Sequence, residues 1–344
     1  MEPLKLYQVE GQDRACKSAC GLSLAGREGG YTELERLDDY LRQRRVEVEK
    51  RLAEMLCPQA GLPVSLLEAM RYSLLAPGKR LRPLLVLMAA EACSGPAQGA
   101  EGLSGDPWPA ACAVEMVHVY SLIHDDLPAM DDDDIRRGQP TCHKKFGEAL
   151  AILAGDALLT MAFGVLAENY PDRTAACCCR ELARAAGAIG MVGGQADDLA
   201  WEQRRDRPNA CPTLEELEQL HLRKTGALIR ASLRLGALAA YAPRLDPPPD
   251  PLLECLDGYG RCLGLAFQIV DDLLDVEGNA EQTGKRVGKD AARGKLTYPG
   301  LLGIAESRRR AEQFGLQAAE YLKPLGPNAE HLLALIPFVL KRDR

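Results

Sequence analysis

Six aspartates, Asp125, Asp126 and Asp131 to Asp134, fall within ten residues, and two arginines, Arg136 and Arg137, follow at once. Apolar residues lead into them, so the stretch is not a solvated acidic tail. Apolar spacing predicts a buried helix over 110–124, and carboxylates at the end of a buried helix need a compensating positive charge. Hard divalent cations such as Mg²⁺ take oxygen ligands. Arginines suit a planar, multi-oxygen anion such as a phosphate. The chemistry indicated is a metal-bridged phosphate site.

Asp271, Asp272 and Asp275 form a second cluster. Their spacing projects all three to one side of a helix, where like charges repel and a cation is the natural partner. The flank Leu263–Val270 is strongly apolar, which argues against a merely solvated face. The first cluster has a different geometry. Asp131 lies about 600° of helical rotation past Asp125, which leaves it about 120° off that face. Pro128 disfavours a helical Leu127, so the helix ends or distorts there and can bring Asp131 back. A continuous helix would select Asp132 instead. Spacing leaves both open.

Basic groups match the acidic ones. Gly78-Lys79-Arg80-Leu81-Arg82 follows a turn and has the composition of a phosphate grip. Arg136 and Arg137 come next, Lys224-Thr225-Gly226 sits within a helical stretch, and Lys285, Lys289 and Lys295 line a Gly-rich loop. A single lysine is usually solvated. Together with two carboxylate clusters, these groups indicate two anionic ligands, one held through metals and one held directly by cations. His118 on an apolar helix would ordinarily be a satisfied core residue. It lies seven residues before Asp125, two turns away on roughly the same face, which admits a site role. His124 and His143 are left out of the ligand set. Neither a P-loop nor a Gly-x-Ser-x-Gly elbow is present, and Asp131 to Asp134 lacks the glycine and distal glutamate of an EF-hand loop.

The elements that must position these groups are helices. Helical periodicity runs from Thr32-Glu-Leu-Glu35, which has capping-box spacing, to Met55. It returns over 65–75, 84–93, 147–168 and 175–199. Thr213-Leu-Glu-Glu216 opens another helix to about Tyr241, residues 252–276 form the next, and Tyr298 begins the last. No strand alternation is found. This predicts an all-α, single-domain bundle of long helices over residues 31–344, with 1–30 as a mobile extension. The chain has 344 residues, of which 47% are hydrophobic and only 5% aromatic, so a large core closes through small side chains. A net charge of −7 speaks against a general nucleic-acid binder. No apolar run approaches the ~20 residues of a membrane span, and the N-terminus shows no signal-peptide core. Twelve cysteines, three of them consecutive at Cys177 to Cys179, form no Cys-x-x-Cys pair and read as small buried hydrophobes in a reducing, cytoplasmic setting.

Taken in order, the motifs closely resemble the trans-polyprenyl (isoprenyl diphosphate) synthase family, over nearly the whole chain from about residue 33. Asp125-Asp126-Leu-Pro-Ala-Met-Asp131 is similar to the family's first aspartate-rich motif in its bacterial form, and Asp271-Asp272-Leu-Leu-Asp275 to the second. Gly78 to Pro83, Lys224-Thr225, Phe267-Gln268 and Gly294-Lys295-Leu-Thr-Tyr-Pro299 match others. The resemblance implies an isoprenoid synthase-type fold around a central cavity, a homodimer, and Mg²⁺, about three ions per site, held by Asp125, Asp126, Asp131, Asp271 and Asp275. It favours Asp131 over Asp132. Asp125, Asp126, Asp131, Arg136, Lys224, Asp271, Asp272 and Lys285 would carry catalysis. Arg136, Lys224, Thr225, Gln268, Lys285 and Lys295 would surround an allylic diphosphate (dimethylallyl or geranyl). Lys79, Arg82, His118 and Arg137 would bind isopentenyl diphosphate. One departure is Lys289, before Asp290, where many relatives have a small residue.

The implied reaction is head-to-tail condensation through an allylic cation, with the departed diphosphate taking the proton. Ser121 lies one turn below Asp125 and Tyr120 just beyond it, and a turn rises about 5.4 Å, close to one isoprene unit. Tyr120 and Ser121 are therefore the expected chain-length residues, and the resemblance implies that an aromatic at Tyr120 goes with farnesyl diphosphate. Geranylgeranyl diphosphate is the second expectation. A class I terpene cyclase would lack the second diphosphate site. A non-catalytic subunit of a heteromeric synthase would have lost an aspartate cluster, and a structural cation binder would leave the basic groups unexplained.

Overall fold

The computed structural model describes residues 33–94, 105–204, 212–244, 247–277 and 295–342. The extension 1–30, Thr32, Lys285 and Lys289 lie outside the described residues.

The described chain is helical apart from one short hairpin. The first four helices are α1 (Glu33–Met55), α2 (Val64–Leu74), α3 (Leu81–Cys93) and α4 (Trp108–Asp125). Helix α4 is buried around its whole circumference from Pro109 to Val117. A helix apolar on every side belongs to the centre of a bundle rather than to its rim, and Pro109 is accommodated because it falls in the first turn. The hairpin follows, β1 (Ile135–Arg136) and β2 (Gln139–Pro140), antiparallel with Ile135 opposite Pro140 and Arg136 opposite Gln139. Its two turn residues, Arg137 and Gly138, have φ 53° and 78°, the left-handed pair that a two-residue turn between twisted strands demands. The sequence reading expected no strand. Two residues per strand are too few to display alternation.

Helices α5 (Cys142–Phe146), α6 (Glu148–Asn169), α7 (Asp172–Ala186) and α8 (Met191–Arg204) come next. The single helix expected over 175–199 is two. The N–H of Gly187 donates to the Ala183 carbonyl to close α7, and that of Gly190 donates to Gly187 to turn the chain. A Cβ at Gly190 would meet the Ala185 carbonyl oxygen at 2.1 Å, so this corner requires glycine. Helix α9 (Leu214–His221) opens with the expected capping box, Thr213 with Glu216. It continues through a π-helical turn, Leu222–Gly226, into α10 (Ala227–Ala240). Then come α11 (Asp250–Glu277), α12 (Tyr298–Leu302), α13 (Ile304–Leu322), a 3₁₀ segment (Lys323–Ala329) and α14 (Glu330–Leu340).

Helix α10 packs against α3, α4, α7 and α11, and α4 against α3 and α6. Small residues permit this. A Cβ on Gly236 of α10 would lie 2.3 Å from the Val86 carbonyl oxygen of α3. One apolar core gathers α2, α4, α6 and α7, a second gathers α3, α10, α11, α13 and α14, and a third, smaller one gathers Leu217 of α9 with α11, α12 and α13. Against the expectation that no apolar run approaches a membrane span, helix α6, with 22 residues, is long and apolar enough to cross a membrane by length and composition, and it packs along α4.

Candidate active site

Helix α4 ends at Asp125, and the chain then folds back on itself. The N–H of Asp131 donates to the Asp125 carbonyl at 2.7 Å, that of Asp132 to Leu127 at 3.1 Å, and that of Asp133 to Asp126 at 3.2 Å. Pro128 lies inside this turn, and Asp132 absorbs the reversal at φ 47°. The backbone path left open by spacing therefore returns Asp131, not Asp132, to Asp125. Burial pushes the Asp125 carboxyl up to about 6, with Lys224 opposing and Asp131 adding to the rise. Burial likewise pushes Asp126 up to about 6, against the opposing Arg136. Arg136 Nε donates to Asp126 Oδ1 at 2.7 Å, so β1 is tied to the end of α4.

Lys224 and Thr225 stand in the π turn, a feature that recurs at functional positions because it displaces backbone from the regular ladder. Lys224 Nζ bonds Asp198 Oδ2 of α8 at 2.6 Å. Gly194 lets α8 approach, since a Cβ there would sit 2.3 Å from the Lys224 nitrogen. Thr225 Oγ1 donates to Gln268 Oε1 at 3.3 Å, and Gln268 Nε2 donates to Asp272 Oδ1 at 3.1 Å. The other Asp272 oxygen accepts the Tyr298 N–H at 2.9 Å. Asp272 is 3% exposed. Its carboxylate thus ties α11 to the π turn and to α12.

Asp271 and Asp275 lie one turn apart on α11, Asp271 exposed and Asp275 half-buried. Arg342 Nη2 donates to Asp271 Oδ1 at 3.1 Å, and its guanidinium lies 3.8 Å from the Phe267 ring centroid. Burial lowers the Arg342 pKa, with Asp271 opposing the shift. Lys295, at the entrance to α12, brings Nζ to 3.9 Å from Asp131 Oδ1. The second cluster is thus tied to the π turn through Gln268 and Thr225, and Lys295 stands beside Asp131 of the first.

A second cationic centre lies further back along α4. Arg82 is in the first turn of α3, and Lys79 is exposed in the turn before it. Gly78 lies flat against Arg137, since a Cβ would meet Nη1 at 2.6 Å. Burial, with the Arg82 and Arg137 charges adding to it, holds the His118 imidazole well below its usual pKa. Burial also takes Arg82 down to about 10, partly countered by Glu115. Tyr120 is buried, with its ring edge-on to His124 at 5.6 Å. Ser121 Oγ donates to the His118 carbonyl at 2.8 Å. His124 Nε2 lies 3.1 Å from the Ile152 carbonyl and rests on Gly155 of α6, where a Cβ would stand 2.2 Å away.

Asp198, Arg342 and the buried pair Arg80–Glu115 escaped the sequence reading. A lone Glu115 inside an apolar helix was the available signal, since a buried carboxylate needs a partner. For Arg342, near the chain end, there was none.

The polyprenyl synthetase family model matches residues 63–321. Farnesyl diphosphate synthase of Escherichia coli (strain K12) is 44% identical over 306 residues, 87% of this chain and 96% of the relative. Geranylgeranyl pyrophosphate synthase 9, chloroplastic, of Arabidopsis thaliana is 46% identical over 289 residues, 81% of this chain and 75% of the relative. The crystal structure of an FPP/GFPP synthase from Zymomonas mobilis superposes with a TM-score of 0.74 at 34% identity, covering 89% of this chain and 99% of that one.

Proposed function

The chain belongs to the polyprenyl synthetase family, and we propose that it condenses isopentenyl diphosphate head-to-tail with dimethylallyl or geranyl diphosphate to give farnesyl diphosphate. The observation that carries this reading is the placing of a cation-rich centre and an aspartate-rich centre along one helix. His118 marks one and Asp125 the other, seven residues or about 10 Å apart along α4, a separation suited to two diphosphates whose carbon ends must meet.

Asp125, Asp126 and Asp131 from one side, and Asp271 and Asp275 from the other, would hold Mg²⁺. The fit is chemical. All donors are oxygens, as Mg²⁺ prefers, and burial disfavours the charged form of Asp125 and Asp126, which a bound cation would offset. Bound Mg²⁺ supplies charge neutralisation for the allylic diphosphate as it leaves. Lys224, Arg136, Lys295 and Lys285 contribute fixed positive charge around the same group, and Thr225 and Gln268 orient it. Lys79, Arg82, His118 and Arg137 hold isopentenyl diphosphate so that its double bond faces the allylic carbon. The apolar flanks of α4, α6 and α10 exclude water from the cation. The released diphosphate accepts the proton, and Tyr120 closes the channel after the fifteen-carbon chain.

A cytoplasmic homodimer is part of the proposal. Helix α6 leaves Ile152 43% and Leu153 54% exposed, a face suited to a second copy, and Asp156 in its middle disfavours a lipid environment. The described cysteines, Cys177 to Cys179 among them, are free thiols, as in a reducing compartment. Residues 31–344 form the synthase domain and 1–30 an extension. The test is incubation of the purified chain with Mg²⁺, isopentenyl diphosphate and geranyl diphosphate. Farnesyl diphosphate is expected. A folded chain that gives no condensation product overturns the proposal, and a twenty-carbon product assigns the geranylgeranyl activity instead.

A further inference from the structure

Glu115 is buried on α4, one turn before His118, in a stretch, Pro109 to Val117, that is otherwise apolar. Arg80 Nη1 donates to its Oε1 at 2.8 Å, and the two side chains are 0% and 2% exposed. Arg80 Nη2 donates to the Ala76 carbonyl at 2.6 Å, and Glu49 Oε1 lies 3.8 Å from Arg80 Nε. Arg80 is also the residue before α3 and stands at φ 52°, a conformation that a non-glycine side chain holds only when its surroundings fix it. On one side of Arg80 is the turn with Gly78 and Lys79. On the other is Arg82, whose Nε is buried without a hydrogen-bond partner. Gly78 in turn abuts the Arg137 guanidinium.

We infer that Glu115 is the positioning residue of the isopentenyl diphosphate subsite: it binds Arg80 permanently, fixes the turn that carries Lys79 and Arg82, and so leaves Arg82 and Arg137 aimed at the incoming anion. This rests on the condensation reading for the identity of the anion. A buried guanidinium without its carboxylate is costly, so loss of Glu115 frees Arg80 to rotate and takes the turn with it. The allylic subsite, built on Asp125, Lys224 and Arg136, does not depend on this pair.

The test is Glu115→Gln, with the fold checked by circular dichroism and the melting temperature. Binding of isopentenyl diphosphate is followed by calorimetry without Mg²⁺, so that the readout does not depend on turnover. Steady-state kinetics are run alongside. Affinity and KM for isopentenyl diphosphate should worsen by about tenfold, the scale of one charge-assisted hydrogen bond. The KM for geranyl diphosphate and the kcat at saturation should stay within about threefold. Tighter binding would mean that Glu115 acts only as a like charge repelling the substrate, and overturns the inference. So do unchanged binding and equal losses at both subsites. Should the variant not fold, Arg80→Lys is measured in the same way, with the same selective loss expected. A wild-type chain that binds isopentenyl diphosphate but yields no product sinks the condensation reading and leaves the subsite test intact.

Discussion

The backbone N–H of Asp131 and the carbonyl oxygen of Asp125 are joined across 2.7 Å by a turn that encloses Pro128. That bond, rather than helical phase, sets which later aspartate belongs with the first pair. Asp131→Asn should lower kcat by about 10²–10³-fold, the usual cost of losing one preorganised charge partner. Asp132→Asn keeps a residue type that tolerates φ 47° and should leave kcat within about threefold. Steady-state rates of the two variants, at matched Mg²⁺, check this. Equal losses would place Asp132 in the clamp as well.

His118 should act as a neutral donor. Its burial among Arg82, Arg137, Arg136 and Arg80 keeps the imidazole uncharged through neutral pH. His118→Gln retains a neutral N–H, and its KM for isopentenyl diphosphate should rise by no more than about fivefold. His118→Ala should lose about tenfold or more. Between about pH 6 and 8 the wild-type and Gln profiles should run parallel, because the folded His118 gains no proton in that window. An inflection near pH 6.5 that vanishes in the Gln variant counts against a neutral imidazole.

Tyr120→Ala should lengthen the product. The ring is buried against His124, which itself rests on Gly155 of α6. Its removal opens the space below Asp125 at a stability cost of about 3 kcal/mol. Chromatography of the prenyl products should show chains beyond fifteen carbons. A product distribution identical to wild type moves the floor to another residue.

Gly194→Ala should harm the site more than the fold. A Cβ there meets the Lys224 nitrogen at 2.3 Å, so α8 or the π turn must shift. Overpacking of this kind costs about 1–3 kcal/mol, which melting would register. The kcat should fall by more than the loss of folded protein accounts for, because Lys224 and Thr225 move together.

The docking of α1 should be acid-sensitive. Glu91 of α3 accepts from Tyr40 at 2.8 Å and from Arg44 at 2.9 Å, and His331 lies 3.5 Å away. Burial alone would raise its pKa, but the hydrogen bonds from His331 and Tyr40 and the Arg44 charge outweigh that and leave it lowered. A carboxyl depressed in the folded state contributes stability above its unfolded pKa and loses it as pH falls through the folded value. The melting-temperature advantage of wild type over Glu91→Gln should therefore be full near pH 7 and shrink below about pH 4. An advantage that stays constant to pH 3 would rule out ionic docking.

Much of this was legible in the chain. Period 3.6 revealed the helices because nearly every element buries one stripe, and the i, i+1, i+4 spacing put Asp271, Asp272 and Asp275 on one helix. What spacing could not separate was their duties. Asp272 points at the Tyr298 N–H and Gln268 while Asp271 faces Arg342, a division made by partners 26 and 71 residues away in sequence. Arg80 stood within the basic stretch Gly78 to Arg82 that had the composition of a phosphate grip, yet burial commits it to Glu115. The two-residue turn Arg137-Gly138 and the break at Gly187–Gly190 depend on single left-handed or close-packed residues, which periodicity averages away. Asp198 depended on α8 crossing the π turn, a tertiary event with no local signature.

The π turn at Leu222–Gly226 has a consequence for how this site can drift over evolutionary time. A π turn is an α-helix carrying one residue more than its ladder needs. Losing one codon between 222 and 226 would restore an uninterrupted α-helix from α9 into α10, and both ends would keep their packing. Only Lys224 and Thr225 would swing, by about 100°, away from Asp198 and Gln268. A single in-frame deletion could thus leave a sound helical scaffold stripped of its Lys224–Asp198 and Thr225–Gln268 contacts, a short genetic path from enzyme to inactive paralogue.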